Sequence, residues 1–132
     1  MADVERSMRS PLGRVRHHGA AGEGTGHFLG QRVSAIALAI LGPWFVVSAA
    51  LSIRGASYVA AIDFLANPIN AVGVILLIVI GLYHMMLGMQ EVILDYIAKP
   101  VAKFVLLFIN AAIPLALGVG ALFAVLLVNF GV

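Results

Sequence analysis

Hydrophobic positions run through this chain in long unbroken stretches, and polar ones gather in the short intervals between them. Between Arg32 and Arg54, between Asp63 and Glu91, and from Phe104 to Val132 there is no Asp, Glu, Lys or Arg, over 21, 27 and 29 residues. About 20 apolar residues of helix cross the hydrocarbon core of a bilayer, so each stretch holds one span and none holds two. The runs are continuously apolar rather than alternating, which favours helices over barrel strands. The expected fold is all-α and integral to the membrane, with three transmembrane helices over about 31–54, 68–98 and 102–130. Pro68 suits the first turn of the second helix, and Pro100 is expected to stop that helix soon after Ala98. Residues 1–30, with Gly19, Gly22, Gly24 and Gly26, are read as a cytoplasmic or interfacial arm.

Composition agrees with the pattern. Of 132 residues, 62% are hydrophobic and 11% charged, against roughly a quarter charged in soluble domains. A water-soluble core cannot absorb so much apolar sequence without large exposed patches. There is no Cys, so this chain supplies no disulfide, no thiolate metal site and no iron–sulfur ligand.

The charges orient the spans. Arg6, Arg9, Arg14, Arg16 and Arg32 precede the first span, Arg54 follows it, and Lys99 and Lys103 lie between the second and third. Cytoplasmic segments carry the excess of Lys and Arg, so the N-terminus is expected in the cytoplasm and the C-terminus in the periplasm. The net charge of +2 calls for no nucleic-acid partner, because the arm's Arg residues suit anionic lipid headgroups. The arm shows no apolar run of signal-peptide type, and Asp3, Glu5 and Glu23 argue against a transit peptide. A bacterial inner membrane is the expected location.

Candidate chemistry gathers on the second span. His84 lies inside it, and Gly88, Glu91 and Asp95 follow at steps of 4, 7 and 11 residues, which places all four within about 40° of one helix face. Two readings fit His84. It is either an axial haem ligand, with Gly88 leaving room for a flat macrocycle, or an interhelical hydrogen bond and nothing more. His27 is too shallow to reach the other side of the same iron, so a second axial His would come from a partner subunit. Tyr96 is either an interfacial anchor or a hydrogen-bond donor to a quinone carbonyl, with Asp95 orienting it or relaying protons. Arg32, at the same depth, has three options: pairing with Asp95, contacting a haem propionate, or snorkelling to headgroups. On the third span, Ala112, Ala116, Gly120 and Ala124 make a smooth stripe of the kind against which helices pack closely. Pro43 and Pro114 fall inside the first and third spans, where membrane helices tolerate them.

The run His84-Met-Met-Leu-Gly88-Met-Gln-Glu-Val-Ile-Leu-Asp95-Tyr96, followed by Lys99-Pro100, resembles the second helix of the smaller hydrophobic anchor subunit of succinate dehydrogenase, respiratory complex II. Gly13-Arg14, Gly24-Thr-Gly-His27-Phe28 and Gln31-Arg32-Val-Ser34-Ala35 are similar to the alphaproteobacterial, mitochondria-related form of that subunit. The third span is matched by position and hydropathy.

The resemblance implies a set of roles. Two anchor subunits would hold one b-type haem between them, with His84 as this chain's axial ligand and Gly88 packing beside the ring. Asp95 and Tyr96 would form part of the ubiquinone site, with Arg32 and His27 in the vicinity of the propionates or the quinone. The implied partners are a second, cytochrome b-type anchor subunit, an iron–sulfur subunit and a flavoprotein subunit, which carry the iron–sulfur clusters and FAD. The chain would be a non-flavin anchor, not catalytic alone, in a complex that moves electrons from succinate to ubiquinone. The alternatives are a structural or assembly subunit without cofactor, and the anchor of a quinol:fumarate reductase.

Overall fold

The computed structural model describes residues 23–53, 55 and 57–131. Arg6, Arg9, Arg14, Arg16, Arg54 and most of the expected arm lie outside the described residues. Among the described residues four helices follow in order: α1 (Glu23–Ser52), α2 (Tyr58–Ala66), α3 (Pro68–Tyr96) and α4 (Pro100–Phe130). Three of them, α1, α3 and α4, are long and apolar enough to cross a membrane. Among the described residues there is no strand, and the all-α, three-span architecture expected from the charge-free stretches is the one observed.

The element boundaries depart from the expected ones for identifiable reasons. α1 begins at Glu23 rather than near residue 31, so residues 23–30 are helical. Gly24, Gly26 and Gly30 weaken helix propensity, and Gly24 and Gly26 face open space; contact with the facing helix begins at His27 and Gly30. At Gly30 a Cβ would meet Tyr83 Oη at 2.7 Å and Leu87 Cδ1 at 3.1 Å, so the missing side chain is what lets α1 and α3 touch. α2 has only nine residues, too few to span, and Asp63 lies within it, so no charge-free stretch marks it.

The second span stops at Tyr96 rather than Ala98. Lys99 precedes Pro100, whose ring disfavours helical backbone in the residue before it, and Ile97 and Lys99 are both extended. Pro68 and Pro100 each open a helix at its first position, where no amide hydrogen is needed. Asn67 caps α3 by accepting from Ile69 N at 2.9 Å and Asn70 N at 3.4 Å. Pro43 and Pro114 sit inside α1 and α4, which continue through them.

α1 and α3 pack antiparallel, and their contacts step in opposite directions along the two sequences: His27 meets Glu91, Ser34 meets His84, Leu38 reaches Gly81, and Trp44 covers Gly73. α4 runs back along α3, where Lys103 Nζ donates to Leu94 O at 3.0 Å, Asn110 Nδ2 to Met86 O at 2.9 Å, and Leu82 lies against Gly118. The buried cluster of Phe64, Ala71, Val74 and Val125 sits at the end where α2 folds under the bundle, with Phe64 edge-on to Phe45 at 6.3 Å. Ala116, Gly120 and Ala124 of the small-residue stripe are exposed, while α4 turns Pro114, Gly118 and Leu122 toward the cleft it shares with α3.

Candidate functional site

The polar ridge of α3 faces a second polar ridge on α1. His27, Gln31 and Ser34, spaced four and three residues apart, share one face of their helix. They lie opposite Glu91, Gly88 and His84 in the antiparallel register set by the packing. Membrane helices join where small residues permit approach and polar side chains bond across the gap, and this seam has both.

His84 is partly buried and contacts α1 through both ring nitrogens. Its Nδ1 lies 2.9 Å from Ser34 Oγ, and its Nε2 lies 3.4 Å from Gln31 Nε2. Ser34 is 5% exposed, and its hydroxyl also reaches Gly30 O at 2.7 Å and Gln31 O at 3.0 Å. Gln31 Oε1 is buried with no hydrogen-bond partner among the described residues. A Cβ on Gly88 would meet the same Gln31 amide at 3.4 Å. The Gln31 side chain therefore fills the space in front of His84 Nε2 and over Gly88, held by one long contact and with its oxygen unsatisfied.

Toward the end of α3 the seam opens into a cleft of about 650 Å³ lined by His27, Gln31, Arg32, Gln90 and Glu91. His27 Nδ1 is 3.3 Å from Glu91 Oε1, and its Nε2 is 3.5 Å from Gln90 Nε2. The Arg32 guanidinium stacks over the Phe28 ring at 4.4 Å from its centre. Of the three options for Arg32, pairing with Asp95 is not the one taken: among the described residues neither makes an ion pair.

Asp95 and Tyr96 are both exposed, Tyr96 at 81%. They point into different surroundings because one residue turns the helix by about 100°. Tyr96 borders an apolar cavity of about 410 Å³ between α3 and α4, lined also by Met85, Met89, Ile109 and Pro114, and Asp95 is absent from that lining. The structure thus joins His84, Gly88, Glu91, His27 and Arg32 along one seam and sets Tyr96 beside another. Ser34 and Gln31 were not singled out as His84 partners from sequence. Their three-residue spacing, in register with His27, was the available signal.

No group of three or more His, Asp or Glu capable of holding a metal ion occurs among the described residues, and His84 stands as a single imidazole donor. The family model described as succinate dehydrogenase/fumarate reductase transmembrane subunit matches residues 6–128. The chain belongs to this family. The succinate dehydrogenase hydrophobic membrane anchor subunit of Rickettsia conorii is 33% identical over 91 residues, which covers 69% of this chain and 72% of the relative. The subunit of the same name in Rickettsia bellii is 34% identical over 91 residues, with the same coverage. That of Paracoccus denitrificans is 32% identical over 90 residues, or 68% of this chain and 69% of its own. No solved structure matches the chain. Together with the three apolar spans, membership of the succinate dehydrogenase/fumarate reductase family makes this a membrane anchor subunit and a multi-pass protein of a bacterial inner membrane.

Proposed function

We propose that the chain is the smaller anchor of a succinate:quinone oxidoreductase, that His84 is one of two axial ligands to a b-type haem shared with a second anchor subunit, and that Tyr96 and Asp95 contribute to the ubiquinone site. One observation carries this reading: a mid-span imidazole whose Nε2 faces the weakly held amide of Gln31 over the bare backbone of Gly88. An imidazole kept only for helix packing has no need of a neighbour whose buried oxygen is left without a partner. The donor fits the group as well, because neutral imidazole is an ordinary axial ligand of haem iron.

A bound haem would supply one-electron redox chemistry within the membrane. His84 holds the iron side of that site, and Gly88 keeps the adjacent helix surface flat. Arg32 and His27 line the polar cleft at the end of the same seam, where they suit carboxylates such as the haem propionates. Tyr96, at the rim of the apolar cavity, offers a phenol donor to a quinone carbonyl while the cavity takes apolar substance. With the N-terminus in the cytoplasm, as the Arg and Lys distribution favours, Asp95 and Tyr96 face the side on which flavoprotein and iron–sulfur subunits dock.

A specific observation also favours the bland reading, in which His84 is an interhelical hydrogen bond of a subunit without cofactor: Nδ1 does bond across to Ser34. The two readings part over Nε2. Reduced-minus-oxidised spectra of the purified complex test them: a b-type spectrum that His84→Ala abolishes supports the proposal, and haem content unchanged in His84→Ala overturns it. A quinol:fumarate reductase has the same anchor chemistry, and the potential of the quinone sets its direction.

A further inference from the structure

Ser34 has a single proton and two carbonyl acceptors already within reach, Gly30 O at 2.7 Å and Gln31 O at 3.0 Å. With that proton directed to the backbone, the oxygen meets His84 Nδ1 at 2.9 Å with only lone pairs to offer. Nδ1 must then carry the ring proton and donate it. In a neutral imidazole this leaves the lone pair on Nε2. The serine is buried at 5% exposure, so no water competes for this bond.

We infer that Ser34 is the positioning residue of the haem ligand: its hydroxyl fixes His84 in the Nδ1–H tautomer, aims Nε2 at the iron site and strengthens the imidazole as a donor. The inference rests on the haem reading above and adds to it a residue on another helix. Ligand histidines generally donate their second ring N–H to an oxygen, which sets tautomer and ring orientation and raises ligand basicity. Here the acceptor is a hydroxyl whose own proton is occupied by the turn of α1 that precedes it, so the orientation of the ligand is coupled to the helicity of residues 30–34. Gly30 takes part twice: its carbonyl receives the hydroxyl proton, and its lack of a side chain admits Tyr83 and Leu87 of the facing helix.

The test uses the whole purified complex with Ser34→Ala, Ser34→Val and Ser34→Thr. Thr keeps the hydroxyl, and Val matches the shape of Thr without it. Three quantities are measured: haem per complex, the rate of haem transfer to excess apomyoglobin, and the haem midpoint potential with its low-spin electron paramagnetic resonance signal. Loss of a partner of this kind weakens ligation by about 10- to 100-fold. Haem transfer should therefore accelerate by about that factor in Ser34→Ala and Ser34→Val, with the potential moving in the positive direction as the imidazole becomes a poorer donor. Ser34→Thr should stay near wild type in all three. Equal haem retention and an unchanged potential in Ser34→Val and Ser34→Thr overturn the inference while leaving His84 as a ligand. If Ser34→Ala fails to assemble, the Val and Thr pair decides on the same criteria. A wild-type complex without haem would overturn the haem reading itself, a separate outcome.

Discussion

The six-membered part of the Trp44 indole occupies the place that a Cβ on residue 73 would take, so one point of the α1–α3 contact is an aromatic ring laid directly on the backbone of Gly73. The ring cannot withdraw without opening the interface, and the backbone cannot advance.

Gly73→Ala should therefore destabilise the bundle by about 1–3 kcal/mol, the usual cost of overpacking. Gly81→Ala, whose Cβ would meet Leu38 Cδ2 at an ordinary 3.8 Å, should be tolerated. Thermal inactivation of the two variant complexes in the same detergent gives the comparison. Equal stability would contradict the observed packing.

Asn110 donates to the carbonyl of Met86 across the α3–α4 interface at 2.9 Å. Bonds of this kind between membrane helices are worth about 0.6 kcal/mol on average and up to about 1.7. Asn110→Leu should lower stability by an amount in that range, and unfolding of the complex in a graded detergent mixture would measure it. A loss of several kcal/mol would mean that Asn110 does more than tie two helices.

Between His27 and Glu91 the pairing is half exposed, with side-chain exposures of 39% and 57%. Pairs in that position contribute little, on the order of 0–1 kcal/mol. Glu91→Gln keeps the shape and removes the charge, so stability should change by less than about 1 kcal/mol. The expected readout lies elsewhere: if the cleft receives propionates, removing a nearby carboxylate should raise the haem midpoint potential less than Ser34→Ala does, and should leave haem transfer unaltered.

Tyr96→Phe removes the phenol hydroxyl at an 81% exposed position and leaves the ring beside its apolar cavity. Folding should be unaffected. Quinone reductase activity should fall while succinate oxidation with an artificial acceptor is kept, and parallel assays of the two on one preparation would show it. Equal activities would return Tyr96 to the role of an interfacial anchor.

How far these features could be read from sequence followed the physics of each. The three spans were legible because lipid excludes charge, and the absence of Asp, Glu, Lys and Arg marks a span wherever its helix later packs. The ridge of His84, Gly88 and Glu91 was legible because helical periodicity is local. Ser34 and Gln31 were not, since their meaning depends on which face of α1 meets α3, and that register is set by Gly30, Gly73 and Trp44 together. The short helix α2 escaped for a related reason: it is stabilised by what Phe64 touches. Asp95 and Tyr96 form one motif in sequence and two environments in the fold, because one residue turns the helix by about 100°.

The buried cluster around Phe64, Ala71, Val74 and Val125 lies at one end of the bundle, and the seam with His84 and the open cleft beyond it lies toward the other. Such a molecule orders unevenly. Its α2 end carries the buried apolar cluster, while the half that bears the imidazole adds to Leu87 and Ile93 a seam of polar side chains and an amide with an unsatisfied oxygen. In amide exchange, protection should fall along α3 from Ala71 toward Glu91, and completion of the assembly should remove most of that gradient.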